Sequence, residues 1–350
     1  SESDEELALM AYPPVAAGIR EQAYELEQLH ASLQQSGSPL APSVSLADLR
    51  WASQLVLSRA FTSTIATEKE LRAKAPPPPP PPISPAVVTA RMFFSDVPII
   101  GPMIREKPAP PPPPPLGDGL DMAMMPMLDA FNHFSGASNE CAYDGQRNAF
   151  VLTAKAPLQP GQQAYISYGK KSNDELLQLF GFVEQSNPYD NFLSIGMAEY
   201  VQDKSSGLFA SPGAAQNRFN VVNALGLEPA LLGELTASSV PPSMLHALRV
   251  LLGTNEELEK PQMLAEKASL QTEERVWAAL RGYCKMARSA LGGPRKADES
   301  AAKQARKAGQ NRKALALEFR AEKKRLLTDL ENRLTLVESR SRKAGKVKKL

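Results

Sequence analysis

The sequence predicts an α+β fold, with a small β-rich core preceded by helices and followed by an all-helical second half. Three observations carry that expectation. Short β-prone runs at 139–143, 149–153 and 165–168 sit between turn signals. Before them, residues 7–35 and 46–61 carry apolar side chains at helical spacing. After Leu193 the same spacing recurs in successive amphipathic stretches.

In the first helical stretch, 7–35, the apolar positions are Ile19, Tyr24, Leu26, Leu29 and Leu33, and the Ser/Pro/Gly cluster at 36–45 ends it. Ser45 is placed to cap the next helix, 46–61, where Leu49, Ala52, Ser53, Val56 and Ala60 recur at helical steps and Arg59-Ala60-Phe61 closes the element. Two polyproline blocks follow, 76–82 and 110–115. Proline fixes φ and removes the amide donor, so both are expected to be extended and outside any helix or interior sheet. The apolar island between them, 87–104, could pair as a strand or remain disordered. Order is expected to resume near Met124, with an apolar run at 125–132, two strand-like runs and a turn at Pro160-Gly161.

Tyr165, Ile166 and Tyr168 then form a short strand that stops at Gly169. Ser172 lies three residues before Glu175, the spacing of a reciprocal capping box. Leu176, Leu177 and Phe180 give the helix its apolar face, Gly181 is placed to end it, and Asn187-Pro188 turns the chain away. Tyr168 is thereby delivered to the end of a strand, where chemistry is often found. The plainer alternative is an edge tyrosine that packs its ring and wets its hydroxyl. Helices are expected at 216–225, 243–252, 272–288 and 298–340. In the last, Phe319, Leu327, Leu330, Leu334 and Val337 form one apolar face and the other carries a Lys/Arg excess.

Composition narrows the classes. The 350 residues carry 40 Lys and Arg against 38 Asp and Glu, yet from Arg295 onward there are about eighteen basic and about seven acidic residues, so the tail is basic. The two cysteines, Cys141 and Cys284, are far apart and stand in no Cys/His cluster, which argues against a disulfide scaffold or structural zinc site and predicts no metal. No apolar run approaches the roughly twenty residues a membrane span needs. The chain opens on Ser1-Glu2-Ser3-Asp4 without a targeting segment, which reads as a processed, excised or incomplete start.

The run 161–190 resembles the end of the catalytic SET domain in the plant and algal family of Rubisco large-subunit lysine methyltransferase-like proteins. The matching residues are Gly161, Ile166, Ser167, Tyr168, Gly169, Ser172, Asn173, Glu175, Leu176, Leu177, Gly181, Phe182, Val183, Asn187, Pro188 and Asp190. Trp51, Ala52, Val56, Ser58, Arg59, Ala60 and Phe61 resemble a second segment of that family, and Pro126, Asp129, Asn132 and His133 a third, in which Phe134 stands where the family has serine. Tyr12-Pro13-Pro14-Val15 looks like an internal element of the family's helical insert.

The resemblance implies a SET core with a helical insert over 1–72, a proline-rich insertion at 73–119, the C-terminal part of the SET domain at 120–194 and a helical substrate-binding domain at 195–350. It implies an S-adenosylmethionine-dependent protein-lysine N-methyltransferase acting on a folded partner, with Tyr168 as the catalytic residue that orients the amine. Arg59, Phe61, Asp129, Asn132, His133 and Phe180 are implied to line the cofactor and target pocket. Without the resemblance, Arg59 reads as a cation at a helix C-terminus and His133 as a core or capping histidine. Phe180 replaces a tyrosine of many relatives, which removes one hydroxyl and bears on rate or on the number of methyls. The family's Gly-x-Gly loop does not precede Leu7, so the chain is expected to carry half of the cofactor site and to be a fragment inactive alone. Relatives include chloroplast and cytosolic lysine methyltransferases and some that act on histidine. Chloroplast is the expected location, with cytoplasm or nucleus as alternatives.

A second class is an interaction protein, whose polyproline blocks dock on SH3-, WW- or profilin-type grooves while the basic helix holds an acidic partner. Nucleic-acid binding ranks last, because the basic tail lacks interleaved aromatics and keeps an apolar stripe, as a packed helix with a solvated basic face does.

Overall fold

The computed structural model describes residues 2–63, 121–144, 147, 149–206 and 212–347. The two polyproline blocks and the 87–104 island lie outside the described residues. The chain divides into two compact units, Pro13–Glu184 and Ser1–Tyr12 with Gln185–Leu350.

The expected 7–35 helix is two helices, Glu2–Met10 and Pro13–Gln35, one in each unit. Ala11 takes a positive φ of 52°, and Pro13 supplies no amide to continue a helical ladder. In the Pro13–Glu184 unit, the buried residues of the second helix are Pro14, Val15, Ala16 and Gly18, whereas Tyr24 and Leu29 of the predicted apolar stripe face solvent. Ser45 and Asp48 cap each other at the start of the helix Leu46–Arg59, as expected. That helix ends two residues early. Ala60 turns extended, with ψ at 135°, and enters strand β1 (Ala60–Ser63), which pairs antiparallel with β2 (Asp121–Met124). No residue of the 46–59 helix is buried, and Trp51 is 67% exposed.

Strand β3 (Asn132–His133) lies parallel to β6 (Tyr165–Ile166), so two segments distant in sequence meet side by side. Strands β4 (Glu140–Asp144) and β5 (Ala149–Thr153) form the expected antiparallel hairpin. Strand β6 stops two residues before Tyr168, whose amide is taken by a side chain instead of a ladder partner. The Ser172/Glu175 capping box is present, but the helix it starts is α-helical only over Asn173–Glu175. A π-helical turn, Leu176–Phe180, carries the chain to Gly181, which ends it at a left-handed φ of 72°.

The other unit holds the antiparallel pair β7 (Asn191–Leu193) and β8 (Glu234–Thr236) among helices Met197–Ser206, Pro212–Ala224, Pro242–Leu252, Leu270–Ala290, Arg295–Lys307 and Asn311–Val347. Its core is built from Leu231, Leu235, Met244, Leu248, Leu251, Val276, Leu280, Tyr283, Phe319, Leu326, Leu327 and Leu330, all at most 2% exposed. The single helix expected over 298–340 is broken. Gly309 sits at φ 74° and the Gln310 amide reaches back to the Ala305 carbonyl, a six-residue closure that stops one helix before the next begins. Phe319, Leu327, Leu330 and Leu334 are buried as the periodicity predicts, but Val337 is 39% exposed.

The basic excess of the 311–347 helix is only partly a solvated face. Lys323 and Lys324 are fully buried. Lys323 Nζ lies 2.8 Å from Asp190 and over the rings of Tyr12 and Phe319, at 5.4 and 5.0 Å. Lys324 and Arg320 both bond Asp298 at the first turn of the 295–307 helix, and Arg320 also donates to the Leu9 carbonyl.

Candidate functional site

Four aromatic rings gather where β3 and β6 end. Tyr168 lies 4.7 Å from Phe180, 5.0 Å from His133 and 6.5 Å from Phe182, while Phe182 lies 5.9 Å from His133 and 6.3 Å from Phe180. The parallel strand pair supplies His133, and the π turn with its glycine stop supplies Phe180 and Phe182. Tyr168, Phe180 and Phe182 are half-buried, so the cluster keeps part of its aromatic surface open.

The Tyr168 hydroxyl donates to the Phe131 carbonyl at 2.7 Å. That bond fixes the ring and commits the proton, leaving the phenol oxygen's lone pairs as acceptors. Burial pushes the Tyr168 hydroxyl above its ordinary range, opposed by the nearby Arg59 guanidinium, so tyrosine stays protonated at neutral pH. The Phe131 carbonyl it bonds lies at the extended C-cap of a short 3₁₀ turn, Leu128–Ala130, which follows Met127 at φ 76°. Positive φ at a bulky residue is costly and tends to persist where a site demands it.

Arg59, at the end of its helix, reaches across 70 residues to this turn. Its guanidinium donates to the Asp129 carbonyl at 3.3 Å and lies 3.5 Å from the Asp129 carboxylate. With the Arg59 side chain 44% exposed, the pair contributes less than about 1 kcal/mol. Its interest lies in an accessible guanidinium held near Tyr168.

His133 and Asn132 alternate across β3. The Asn132 side chain is exposed, and the His133 side chain is 1% exposed. The His133 Nδ1 accepts the Tyr168 backbone N–H at 2.9 Å, which places the ring proton on Nε2, 3.3 Å from Glu184 Oε2. That contact is close but off the hydrogen-bond line, and neither atom has another hydrogen-bond partner. Burial pushes the His133 pKa below its ordinary value and Lys171 assists, whereas Glu184 opposes, so the ring is neutral at physiological pH. Glu184 also accepts the Ser135 amide at 3.0 Å, and its own backbone exchanges two hydrogen bonds with the buried Asn173 side chain, at 2.9 and 3.1 Å.

Of the residues singled out from the sequence, the structure brings together Tyr168, His133 and Phe180, sets Arg59 on Asp129 beside them, and places Asn132 in the adjoining strand with an open side chain. The Phe61 backbone lies in β1, opposite Ala123. Sequence reasoning missed Phe182 as part of the cluster and the Phe131 carbonyl as the anchor of Tyr168, and gave Asn173 and Glu184 no role. Phe182 was legible as the first apolar residue after a helix-stopping glycine. Glu184 gave no local signal, since it follows the stop by three residues and acts on residues almost fifty positions upstream. Among the described residues, no helix is long and apolar enough to cross a membrane, and no group of three or more His, Cys, Asp or Glu could hold a metal.

Residues 207–327 match the family model described as Rubisco LSMT substrate-binding. The fold is that of solved Rubisco LSMT structures. One bound to AdoMet aligns over 96% of this chain and 66% of its own, with a TM-score of 0.51 at 17% identity. Another, bound to sinefungin and monomethyllysine, aligns over 95% and 66% with a TM-score of 0.51 at 19% identity. Among curated proteins, the actin-histidine N-methyltransferase of Mus musculus is 28% identical over 155 residues, and that of Rhinolophus ferrumequinum 27% over 153, each match covering 43% of this chain. The chain spans about a quarter of the length of those curated relatives, as the 24% coverage shows. Family resemblance and α+β fold class, both read from the residues, are borne out by these matches.

Proposed function

We propose that this chain, with the fold of Rubisco LSMT and a Rubisco LSMT-type substrate-binding segment, forms one wall of the catalytic site of an S-adenosylmethionine-dependent protein methyltransferase. The acceptor is a lysine on a folded protein, held by the helical 195–350 region. In this reading the remaining parts are the 1–72 helical insert, the 73–119 insertion and the 120–194 SET segment. The observation that carries it is the Tyr168 hydroxyl, anchored on the Phe131 carbonyl within an open aromatic cluster and beside an accessible guanidinium.

These residues fit the cofactor's chemistry. A half-exposed guanidinium suits the carboxylate of the methionyl end, and the exposed Asn132 amide offers both donors and an acceptor. Aromatic faces at Tyr168 and Phe180 suit a sulfonium cation. When bound, S-adenosylmethionine supplies an electrophilic methyl that an uncharged amine can attack in line. Such a transfer would move positive charge from sulfur to nitrogen. Tyr168 offers its oxygen to that moving charge and orients the amine by accepting an N–H, while the rings of Phe180 and Phe182 exclude water. Because Tyr168 holds its proton at neutral pH, it is not the base, and the ammonium loses its proton to water before attack.

A histidine acceptor is the second reading, favoured by the curated relatives, which are actin-histidine N-methyltransferases. Phe180 beside Tyr168 leaves one phenol in the cluster, compatible with either acceptor. Incubation of the chain with methyl-labelled S-adenosylmethionine and a protein extract, followed by hydrolysis and separation of methyl-lysine from methyl-histidine, decides between them. Label in neither residue, both from the chain alone and from the chain joined to a segment that bears a Gly-x-Gly loop, overturns the proposal.

A further inference from the structure

The geometry points to Glu184 as a positioning residue that sets Tyr168 through His133. This extends the methyl-transfer reading and rests on it for its catalytic meaning, though not for the structural coupling itself.

Three contacts make the chain. Glu184 Oε1 accepts the Ser135 amide at 3.0 Å, and Oε2 faces His133 Nε2 at 3.3 Å off the hydrogen-bond line, so one carboxylate bonds the backbone just after β3 and lies against the imidazole of β3. The opposite nitrogen, His133 Nδ1, accepts the Tyr168 amide at 2.9 Å. Glu184 is itself held, because the Asn173 side chain bonds both its N–H and its C=O. An acceptor oxygen 3.3 Å from Nε2 favours the proton on that nitrogen, and this leaves Nδ1 bare to accept from Tyr168. Glu184 thus selects the tautomer on which the Tyr168 backbone hangs. The side chains of His133 and Glu184 are 1% and 12% exposed, so water offers little substitute.

The coupling predicts a pH response. The charged and titratable groups facing His133 are Glu184 and Lys171, with the Tyr168 phenol beside its ring and Arg59 acting on that phenol. A proton on Nδ1 meets the Tyr168 N–H donor to donor and releases the backbone that carries the phenol. Methyl transfer therefore falls on the acid side as the buried imidazole charges.

The test is Glu184→Gln in the full chain, with Glu184→Ala beside it. Glutamine keeps the shape but cannot accept from both the Ser135 amide and Nε2, since one of its two ends is a donor. In ¹⁵N NMR the wild type should show His133 as the Nε2–H tautomer. Glu184→Gln should populate the other tautomer, shift the Tyr168 amide resonance, and lower kcat about tenfold while changing the KM for S-adenosylmethionine less than about twofold. A purely structural role predicts that the isosteric glutamine leaves the tautomer, the Tyr168 amide and kcat at wild-type values, and that result overturns the inference. If the wild type transfers no methyl but the tautomer and amide shifts appear, the functional reading falls and the positioning of Tyr168 by Glu184 stands. Unchanged spectra in both variants remove Glu184 whatever the activity.

Discussion

Tyr168 is held at three places: its amide on His133, its hydroxyl on Phe131 and its ring against Phe180. Only the hydroxyl bond is lost on substitution by phenylalanine, so the variant isolates the oxygen from the packing. Tyr168→Phe is expected to cut methyl transfer by about 10²-fold with cofactor affinity changed less than about twofold, the pattern of an interaction made in the transition state. Single-turnover rates alongside cofactor titration check it, and wild-type turnover in the variant would take Tyr168 out of the mechanism. Arg59 and Asp129 show how a bland local reading and a functional one coexist. The cation at the C-terminal end of its helix is where the dipole favours it, and that end also projects the guanidinium onto the Asp129 turn.

At the scale of elements, capping signals transferred faithfully from sequence to structure because they are local. Ser45/Asp48 and Ser172/Glu175 both close reciprocal boxes, and Gly181 takes the left-handed stop its position implied. What the sequence left hidden depends on distant partners. The parallel meeting of β3 and β6 joins segments more than thirty residues apart, and no periodicity announces it or the π turn before Gly181. The breaks at Ala11 and Gly309 were missed for a different reason, since an apolar stripe can be continued in register across a tight helix stop. Another local device, Glu257, joins two helix starts by accepting from the Thr254 and Ser269 amides and the Thr272 hydroxyl. Burial raises its pKa, but those hydrogen bonds outweigh burial and hold it at about 2, against an ordinary 4.5. A depressed carboxylate stabilises the fold above its unfolded pKa and loses that contribution as pH falls toward the folded one. Denaturant midpoints should therefore decline between about pH 4.5 and about pH 2 more steeply in the wild type than in Glu257→Gln. Parallel pH profiles in the two proteins would contradict this.

At the scale of the whole molecule, the buried charges of the helical unit explain why a basic tail need not be a nucleic-acid surface. Lys324 and Arg320 converge on Asp298, which is 2% exposed, and Lys323 is matched to Asp190. Removing one member of such a set leaves a buried charge poorly compensated, so Asp298→Ala is expected to cost about 3–5 kcal/mol in denaturant unfolding. Burial already lowers the Lys324 pKa against the pull of Asp298, and its loss should lower it further. A folded-state pKa below the unfolded one contributes stability that is lost as pH falls, so the variant should regain stability as pH rises relative to the wild type. An equal deficit at all pH values would argue against a buried cation as the cause. The central claim concerns the other unit, where the Tyr168 cluster, Arg59 and the open Asn132 side chain form a cofactor wall. Calorimetric titration of S-adenosylmethionine into wild type, Asn132→Ala and Tyr168→Phe tests it most directly. The account predicts saturable binding that weakens about tenfold or more in Asn132→Ala and changes little in Tyr168→Phe, and absence of binding, or equal affinity in wild type and Asn132→Ala, would contradict it.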